Sequence, residues 1–123
     1  MVSQIDRKAR IRGYKERSQP AGIYRVRNTT TGKSLVGSTV NLPGMLNRQR
    51  FQLEHGSHPD RELQRDWDEL GSDAFEFEAL DRLKPRDEPA YDPTGDLRVL
   101  KEMWLEKLMA AGEPLYPQSR RGT

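Results

Sequence analysis

The stretch AGIYRVRN at residues 21–28, followed by GKSLVGS at residues 32–38, decides the fold. Apolar and aromatic side chains alternate in part with arginine along the first stretch, which is typical of a strand. The intervening TTTGK at residues 29–33 predicts a turn, because Gly32 can take the positive φ that a tight hairpin requires. The apolar pair LV then begins a second strand. Together the two stretches predict a β-hairpin.

The composition limits the class of protein. The chain has 123 residues, of which 33% are hydrophobic and 33% are charged. This length is typical of one domain, and so few apolar residues predict a small core. No apolar run approaches the roughly 18 residues of a membrane span, and the polar, basic start does not resemble a signal peptide. The absence of cysteine excludes disulfides and cysteine-ligated zinc. We therefore expect one cytoplasmic domain without membrane contact.

The net charge of +2 hides an uneven distribution. Residues 1–50 contain 11 Lys and Arg against two Asp and Glu, whereas residues 51–123 contain 10 against 17. The two parts therefore carry net charges of +9 and −7. A basic segment is the electrostatic signature of proteins that contact phosphate backbones. This distribution predicts a nucleic acid, DNA or RNA, as a partner. A solvated charged face and a protein partner are the alternatives.

The first 20 residues form a basic segment of their own. Six Lys and Arg lie between Arg7 and Arg17, and Pro20 separates them from the hairpin. The segment is either a helix, which Gly13 weakens by about 1 kcal/mol relative to alanine, or an arm that orders on a polyanion. The residues expected to contact nucleic acid here are Arg7, Lys8, Arg10 and Arg12.

Two helices are predicted after the hairpin. Asn41 is a suitable N-cap for a first helix that runs to about His55, because its side chain can accept a hydrogen bond from the first turn. Apolar side chains share one face of that helix at a period of 3.6 residues. A second helix is predicted over about residues 60–70. Its apolar stripe consists of Leu63, Trp67 and Leu70.

The remaining elements complete a mixed α/β fold of the α+β type. Residues 73–80, DAFEFEAL, alternate as a third strand. A loop rich in proline covers residues 84–96, and a last helix covers about 96–110. We expect a small three-stranded antiparallel sheet flanked by helices. The predicted divisions of the chain are a basic segment at 1–20, the domain at 21–111, and a C-terminal tail at 112–123 that is poorly ordered at its end.

GIY at residues 22–24 and LVG at residues 35–37 are spaced like the two halves of a known signature. The ordered series continues with LQRDW at 63–67 and AFEFEAL at 74–80. On these motifs the chain resembles the GIY-YIG nuclease superfamily. The resemblance implies that family's fold and its single-metal hydrolysis of phosphodiesters. In that chemistry two tyrosines, an arginine and a histidine act on water and phosphate, and a glutamate on the last helix holds Mg²⁺ or Mn²⁺.

The implied catalytic set is mostly replaced in this chain. Tyr24 keeps the first tyrosine, and Leu35 stands at the position of the second. Met45 stands where the arginine is expected. Gln49, one turn further along the helix, stands where the histidine is expected. The resemblance therefore implies a degenerate site.

The last helix carries the implied metal position. The family's glutamate falls three residues before a tryptophan, and that position here is Lys101, before Trp104. A shift of the alignment by one residue would instead make Glu102 the ligand. A lysine would repel a divalent cation, which needs oxygen ligands. No metal is therefore expected, and Mg²⁺ or Mn²⁺ enters only if the chain is active.

These replacements favour a nucleic-acid-binding protein over an enzyme. Loss of general acid–base help costs roughly 10²–10⁴ in rate, and loss of an electrostatic stabiliser costs roughly 10²–10³. Five basic side chains of the hairpin and first helix would then line a phosphate-binding groove. They are Arg25, Arg27, Lys33, Arg48 and Arg50.

Two other functions stay open. An active metal-dependent endonuclease with a rearranged site would rely on Tyr24, Arg48 and His58. A module for a protein or small-molecule ligand would use the cleft that the missing side chains vacate. Structural roles are the alternative for single residues: Tyr24 as a strand aromatic, and His58 as a turn residue that caps the second helix.

Overall fold

The computed structural model describes residues 20–86, 88 and 90–120. The predicted basic segment before Pro20 lies outside the described residues. The same holds for the four residues expected to contact nucleic acid there, which are Arg7, Lys8, Arg10 and Arg12. Their role stays a prediction.

Three strands form one antiparallel sheet in the order β2-β1-β3. The central strand β1 (Gly22–Asn28) pairs with β2 (Ser34–Thr39) on one side and with β3 (Phe75–Arg82) on the other. Gly32 closes the hairpin with φ at 81°, a conformation that favours glycine because other residues would crowd their own backbone. The predicted hairpin and the predicted three-stranded antiparallel sheet are both confirmed.

In the described part of the chain, three helices accompany the sheet: α1 (Leu42–Glu54), α2 (Arg61–Leu70) and α3 (Thr94–Ala110). Two short 3₁₀ turns cover Ser72–Ala74 and Pro117–Arg120. Along the chain the order is β1, β2, α1, α2, β3, α3, as the sequence predicts. Within the described part of the chain, no helix is both long enough and apolar enough to cross a membrane.

Local chemistry sets the ends of the first two helices. Asn41 caps α1 as predicted, since its side-chain oxygen accepts the N–H of Gly44 at 3.0 Å. Gly71 ends α2 with φ at 88°. Because the helix ends there, Leu70 is 42% exposed, and its predicted place in the apolar stripe is wrong.

The helices cover opposite faces of the sheet. Because successive side chains on a strand point to opposite faces, β1 contributes to two separate clusters. Tyr24 and Val26 pack with Leu63 on the face covered by α1 and α2. Ile23 packs with Leu108 on the face covered by α3. Any residue of β1 can therefore be assigned to one face by its position alone.

Both tryptophans have structural surroundings, as the sequence predicts. Trp67 is 8% exposed, and its ring centroid lies 5.3 Å from that of Phe75. Trp104 is partly buried beside the α3 cluster, and its Nε1–H donates to a carboxylate oxygen of Asp81 at 2.9 Å. Neither ring is a free platform for stacking on a base.

The segment after Gly112 is part of the folded core up to residue 120, and the predicted poor order at the end of the tail, residues 121–123, lies outside the described residues. Tyr116 is fully buried. Its hydroxyl donates to a carboxylate oxygen of Asp66 at 2.6 Å and accepts from the side-chain amide of Asn28 at 3.1 Å. Burial and the Asp66 hydrogen bond raise the pKa of Tyr116 above its ordinary value. The divisions predicted at residues 20 and 111 stay predictions.

The same segment closes the outer edge of β2. Leu115 forms a parallel bridge with Ser34, and the hydroxyl of Ser119 accepts the N–H of Val36 at 2.9 Å. An edge strand leaves backbone groups unpaired, and proteins commonly cover such edges. Sequence reasoning missed this role because a short polar segment has no periodic signal.

Candidate functional site

Seven of the residues singled out by the sequence line one pocket. This Tyr24 pocket has a volume of about 240 Å³ and lies between the hairpin, α1 and the turn before α2, with α3 at its rim. The residues are Tyr24, Leu35, Met45, Arg48, Gln49, His58 and Lys101. They come from five different parts of the chain, so they become neighbours only in the folded protein.

Tyr24 lies at the floor of the pocket, in the central strand, and is 8% exposed. Gly37 is its partner across the hairpin. A Cβ atom on Gly37 would lie 2.4 Å from the Tyr24 hydroxyl oxygen, so only glycine lets the ring lie across β2. Burial raises the pKa of Tyr24, although the positive charge of Arg48 opposes the shift. The phenol therefore stays protonated at neutral pH and can donate a hydrogen bond.

Met45 and Gln49 form the α1 wall of the pocket, one helical turn apart. The side-chain amide nitrogen of Gln49 lies 3.4 Å from the Met45 sulfur. The amide oxygen of Gln49 accepts from Nε2 of His58 at 2.5 Å. Gln49 is only 6% exposed, so the side chain is held inward by these two contacts. Leu35, 2% exposed, adds an apolar surface beside them.

His58 is buried and both of its ring nitrogens have partners. Nδ1 accepts the N–H of Asp60 at 2.9 Å, so Nε2 carries the proton that is donated to Gln49. This neutral tautomer is assigned from the partners. Burial lowers the pKa of His58, and the nearby Asp60 carboxylate opposes the shift. A ring held in this way is poorly placed to move a proton to a bound substrate.

The cap of α2 is Asp60, not His58. The Asp60 carboxylate accepts the N–H groups of Glu62 and Leu63, both at 3.1 Å. The interpretation of His58 as the cap is therefore wrong, because the histidine accepts the N–H of the capping residue itself. The backbone N–H of His58 in turn donates to the side chain of Gln64 at 3.0 Å. His58 organises the turn before the helix.

Lys101 reaches the Tyr24 pocket from α3 and is 8% exposed. Burial lowers its pKa from the ordinary value. Glu102, the alternative metal ligand, is exposed and lines a different pocket. Of the described residues that line the Tyr24 pocket, none carries a carboxylate. Within the described residues, no group of three or more His, Cys, Asp or Glu could hold a metal ion. Mg²⁺ and Mn²⁺ prefer oxygen ligands of that kind, so this donor set does not fit them.

The predicted groove of five basic side chains does not form. Arg25 and Arg27 lie on the face of the sheet covered by α3, away from Tyr24, because they alternate with it along β1. Arg25 forms an ion pair with Glu78 at 2.6 Å, with Glu113 at 3.7 Å from its other terminal nitrogen. These carboxylates neutralise the arginine. Arg25 is therefore used within the fold and is not free to contact a phosphate on the Tyr24 side.

The other three members of the predicted groove are also separated. Lys33 pairs with Glu62 and lies over the ring of Tyr116. Arg50 lies over the ring of Phe77, 4.5 Å from its centroid. Arg48 alone of the five lines the Tyr24 pocket. Opposite charges and aromatic rings close in space but distant in sequence thus decide which cations are available.

Two basic residues that sequence reasoning missed lie beside this site. Arg98 and Arg120 line a second pocket of about 660 Å³, which we call the Arg98 pocket. Lys101 and Ser38 line both pockets, so the two pockets are adjacent. Residues 51–123 carry a net negative charge, so nothing in the sequence indicated a basic site there. No local motif links α3 to the last 3₁₀ turn. The positive charge at the site therefore comes partly from the acidic half of the chain.

No protein-family model matches the sequence, and no curated protein matches it. Two solved structures resemble the chain. A point mutant of the catalytic domain of intron endonuclease I-TevI is 23% identical over 85% of this chain and 100% of that chain, with a TM-score of 0.64. The catalytic domain of homing endonuclease I-TevI is 26% identical over 78% of this chain and 95% of that chain, with a TM-score of 0.59. The predicted fold is confirmed: this chain has the fold of a GIY-YIG catalytic domain.

Proposed function

We propose that this chain is a nucleic-acid-binding domain that uses a GIY-YIG fold without its metal-dependent hydrolysis. One observation carries the proposal: the Tyr24 pocket combines a neutral phenol with Arg48 and Lys101, and among the described residues no carboxylate lines it. Such a pocket attracts a phosphodiester and repels a divalent cation. Phosphate contacts from Lys and Arg supply most of the affinity of many nucleic-acid-binding proteins. DNA or RNA is therefore the expected partner.

The replaced side chains explain why binding is proposed without hydrolysis. Leu35 cannot polarise a water molecule, and Met45 cannot stabilise charge on a phosphate. Gln49 cannot accept or donate a proton in place of a histidine, and Lys101 cannot hold a metal. Each such loss costs roughly 10² or more in rate, although the losses do not simply multiply. We expect their combination to leave no useful nuclease activity.

Fluorescence anisotropy with labelled single- and double-stranded DNA and RNA tests the proposal. Each probe is titrated at several salt concentrations, with and without EDTA. We expect micromolar or tighter binding that weakens steeply with salt and that EDTA does not change. Arg48→Ala should weaken binding, whereas Arg65→Ala, at an exposed position of α2 outside both pockets, is the matched control. No binding of any probe at low salt would refute the proposal.

The second candidate is an active endonuclease with a rearranged site. It is favoured by one observation, that Tyr24, Arg48 and His58 line the same pocket. The two hydrogen bonds that occupy the His58 ring count against it. It requires nicking of plasmid DNA or cleavage of RNA with Mg²⁺ or Mn²⁺ that disappears in Tyr24→Phe. Intact substrate after hours at high protein concentration excludes this candidate in practice.

A small-molecule or protein ligand in the vacated cleft ranks third. The Tyr24 pocket, at about 240 Å³, is smaller than the roughly 300–1,000 Å³ of typical ligand pockets. A thermal-shift screen that finds a ligand while every nucleic acid fails would reverse this ranking. The cytoplasmic location and a protein partner stay predictions.

A further inference from the structure

The Arg98 pocket lies beyond the Tyr24 pocket, on the far side of Lys101. The end of β2, the first half of α3 and the last 3₁₀ turn enclose it, with Thr39, Thr94 and Ser119 among its lining residues. Its volume of about 660 Å³ falls within the range of sites that hold a molecule the size of a nucleotide. A ligand that crosses Lys101 from the Tyr24 pocket would enter it directly.

The charges around this pocket favour an anion. Among the described residues, three cations line it, Arg98, Lys101 and Arg120, against the single carboxylate of Glu102. Arg98 and Arg120 are exposed, and neither takes part in the ion pairs formed among the described residues. The hairpin cations differ in this respect, because carboxylates already neutralise Arg25 and Lys33. Arg98 and Arg120 therefore bring to this pocket positive charge that none of these ion pairs neutralises.

The three cations also differ in what they can recognise. An arginine guanidinium presents two parallel N–H groups that match two oxygens of one phosphate. A lysine ammonium acts as a point charge. Two arginines from separate elements, with a buried lysine between the two pockets, can therefore hold a phosphate from two directions. The hydroxyl of Thr94 already donates a hydrogen bond to the carboxylate of Asp92, so it does not serve as a donor to the phosphate.

We propose that Arg98, Lys101 and Arg120 form a phosphate-binding site that takes the phosphate next to the one in the Tyr24 pocket. The phosphate belongs to the backbone of a nucleic-acid strand, and in this respect the inference rests on the proposed function. The strand passes over Lys101 from one pocket to the other. A free phosphate compound shares the same chemistry, and the test separates the two sources.

The test compares the intact chain with a double variant, Arg98→Ala/Arg120→Ala. The probes are a labelled single-stranded oligothymidylate and inorganic tripolyphosphate. We expect the double variant to bind the oligonucleotide about tenfold more weakly. The slope of log K against log salt should become shallower by about 0.7, because the site holds one phosphate and each phosphate neutralised on a single strand contributes about 0.7 to that slope. The matched control is Arg65→Ala/Arg82→Ala, which removes two exposed arginines outside both pockets and should change neither quantity.

Amide NMR spectra of the intact chain locate the site. Tripolyphosphate should shift the amide signals of Ser38, Thr39 and Ser119, and the double variant should lose those shifts. Arg98→Lys/Arg120→Lys should restore the salt slope but only part of the affinity, because lysine keeps the charge without the paired N–H groups. Thermal unfolding of each variant checks that the fold is retained.

Each outcome decides the inference. If the oligonucleotide binds the double variant with unchanged affinity and slope, the site is refuted and the proposed function stands. If no nucleic acid binds but tripolyphosphate does so through Arg98 and Arg120, the site is supported with a free phosphate compound as its source, and the proposed function fails. If neither probe binds the intact chain, both are refuted.

Discussion

Cations of the hairpin lie beside carboxylates, whereas those of the Tyr24 and Arg98 pockets lie in linings with few carboxylates. In the hairpin, Arg25 meets Glu78 and Lys33 meets Glu62, so their charges stabilise the fold. At the pockets, Arg48, Arg98 and Arg120 face a lining in which Glu102 is the sole carboxylate of the part of the chain that the structure describes. The comparison shows that a basic stretch of sequence is not a basic surface. Pairing with distant carboxylates decides which charges reach a ligand.

The largest expected effect comes from reversing the charge that the two pockets share. Lys101→Glu should weaken nucleic-acid binding at low salt by about 100-fold, about 2.7 kcal/mol, because an attraction becomes a repulsion. The new carboxylate should also make thermal stability respond to Mn²⁺. Anisotropy and a thermal-shift titration with Mn²⁺ measure the two effects, and Lys101→Gln is the control that removes the charge alone. Affinity unchanged in Lys101→Glu would mean that the pockets do not bind the strand.

A substitution in the hairpin should reduce stability and leave nucleic-acid binding almost unchanged. Arg25→Ala leaves Glu78 without its partner in a partly buried position, and we expect a loss of about 1–2 kcal/mol in the free energy of unfolding. Nucleic-acid affinity should change by less than twofold at a temperature where the variant is folded. Urea denaturation and anisotropy measure these quantities. A large loss of affinity with little loss of stability would show that the hairpin contacts the ligand.

The buried histidine should make the stability of the Tyr24 pocket depend on pH. Because the pKa of His58 is lowered by folding, the unfolded chain binds a proton first as pH falls. The His58 contribution is complete above the ordinary pKa of 6.5 and declines below it, at up to about 1.4 kcal/mol per pH unit. Urea denaturation between pH 7.5 and 5 should show this slope, and His58→Gln should reduce it. An equal slope in the variant would assign the pH dependence to other groups.

The smallest expected effects come from removing one cation at a time, first from a pocket and then from the hairpin. Arg48→Ala should weaken binding about fivefold and leave stability unchanged, since removal of one phosphate contact costs about 1 kcal/mol. Lys33→Ala should leave affinity within twofold, because Glu62 already neutralises this lysine. Both variants are measured by anisotropy at one low salt concentration. If both variants lose the same affinity, the hairpin and the pockets do not differ in how they contact the nucleic acid.

Much of the fold follows from local signals in the sequence. The alternation along β1, the Gly32 turn and the Asn41 cap each involve residues close together in the chain, so their geometry is set by backbone sterics and short-range hydrogen bonds. The error at Leu70 has the same origin, because a period of 3.6 residues does not say where a helix ends. The resemblance carried by residues 22–24 and 35–37 supplied the overall topology.

The candidate site was predicted in part. The seven residues on which the interpretation depended do line one pocket, and Lys101, not Glu102, faces it. Arg98 and Arg120 were missed because they lie in an acidic half of the chain and come together only when the last turn packs beside α3. The capping role assigned to His58 was wrong because Asp60, two residues later, offers the better-placed oxygen.

By itself the sequence determined the elements and their order. These properties depend on residue identity and on neighbours within a few positions. The tertiary structure alone decided which cations are neutralised, that the C-terminal segment closes β2, and that two pockets meet at Lys101. Charge pairing and burial depend on distance in space, and residues such as Arg25 and Glu78 become neighbours only after the chain has folded.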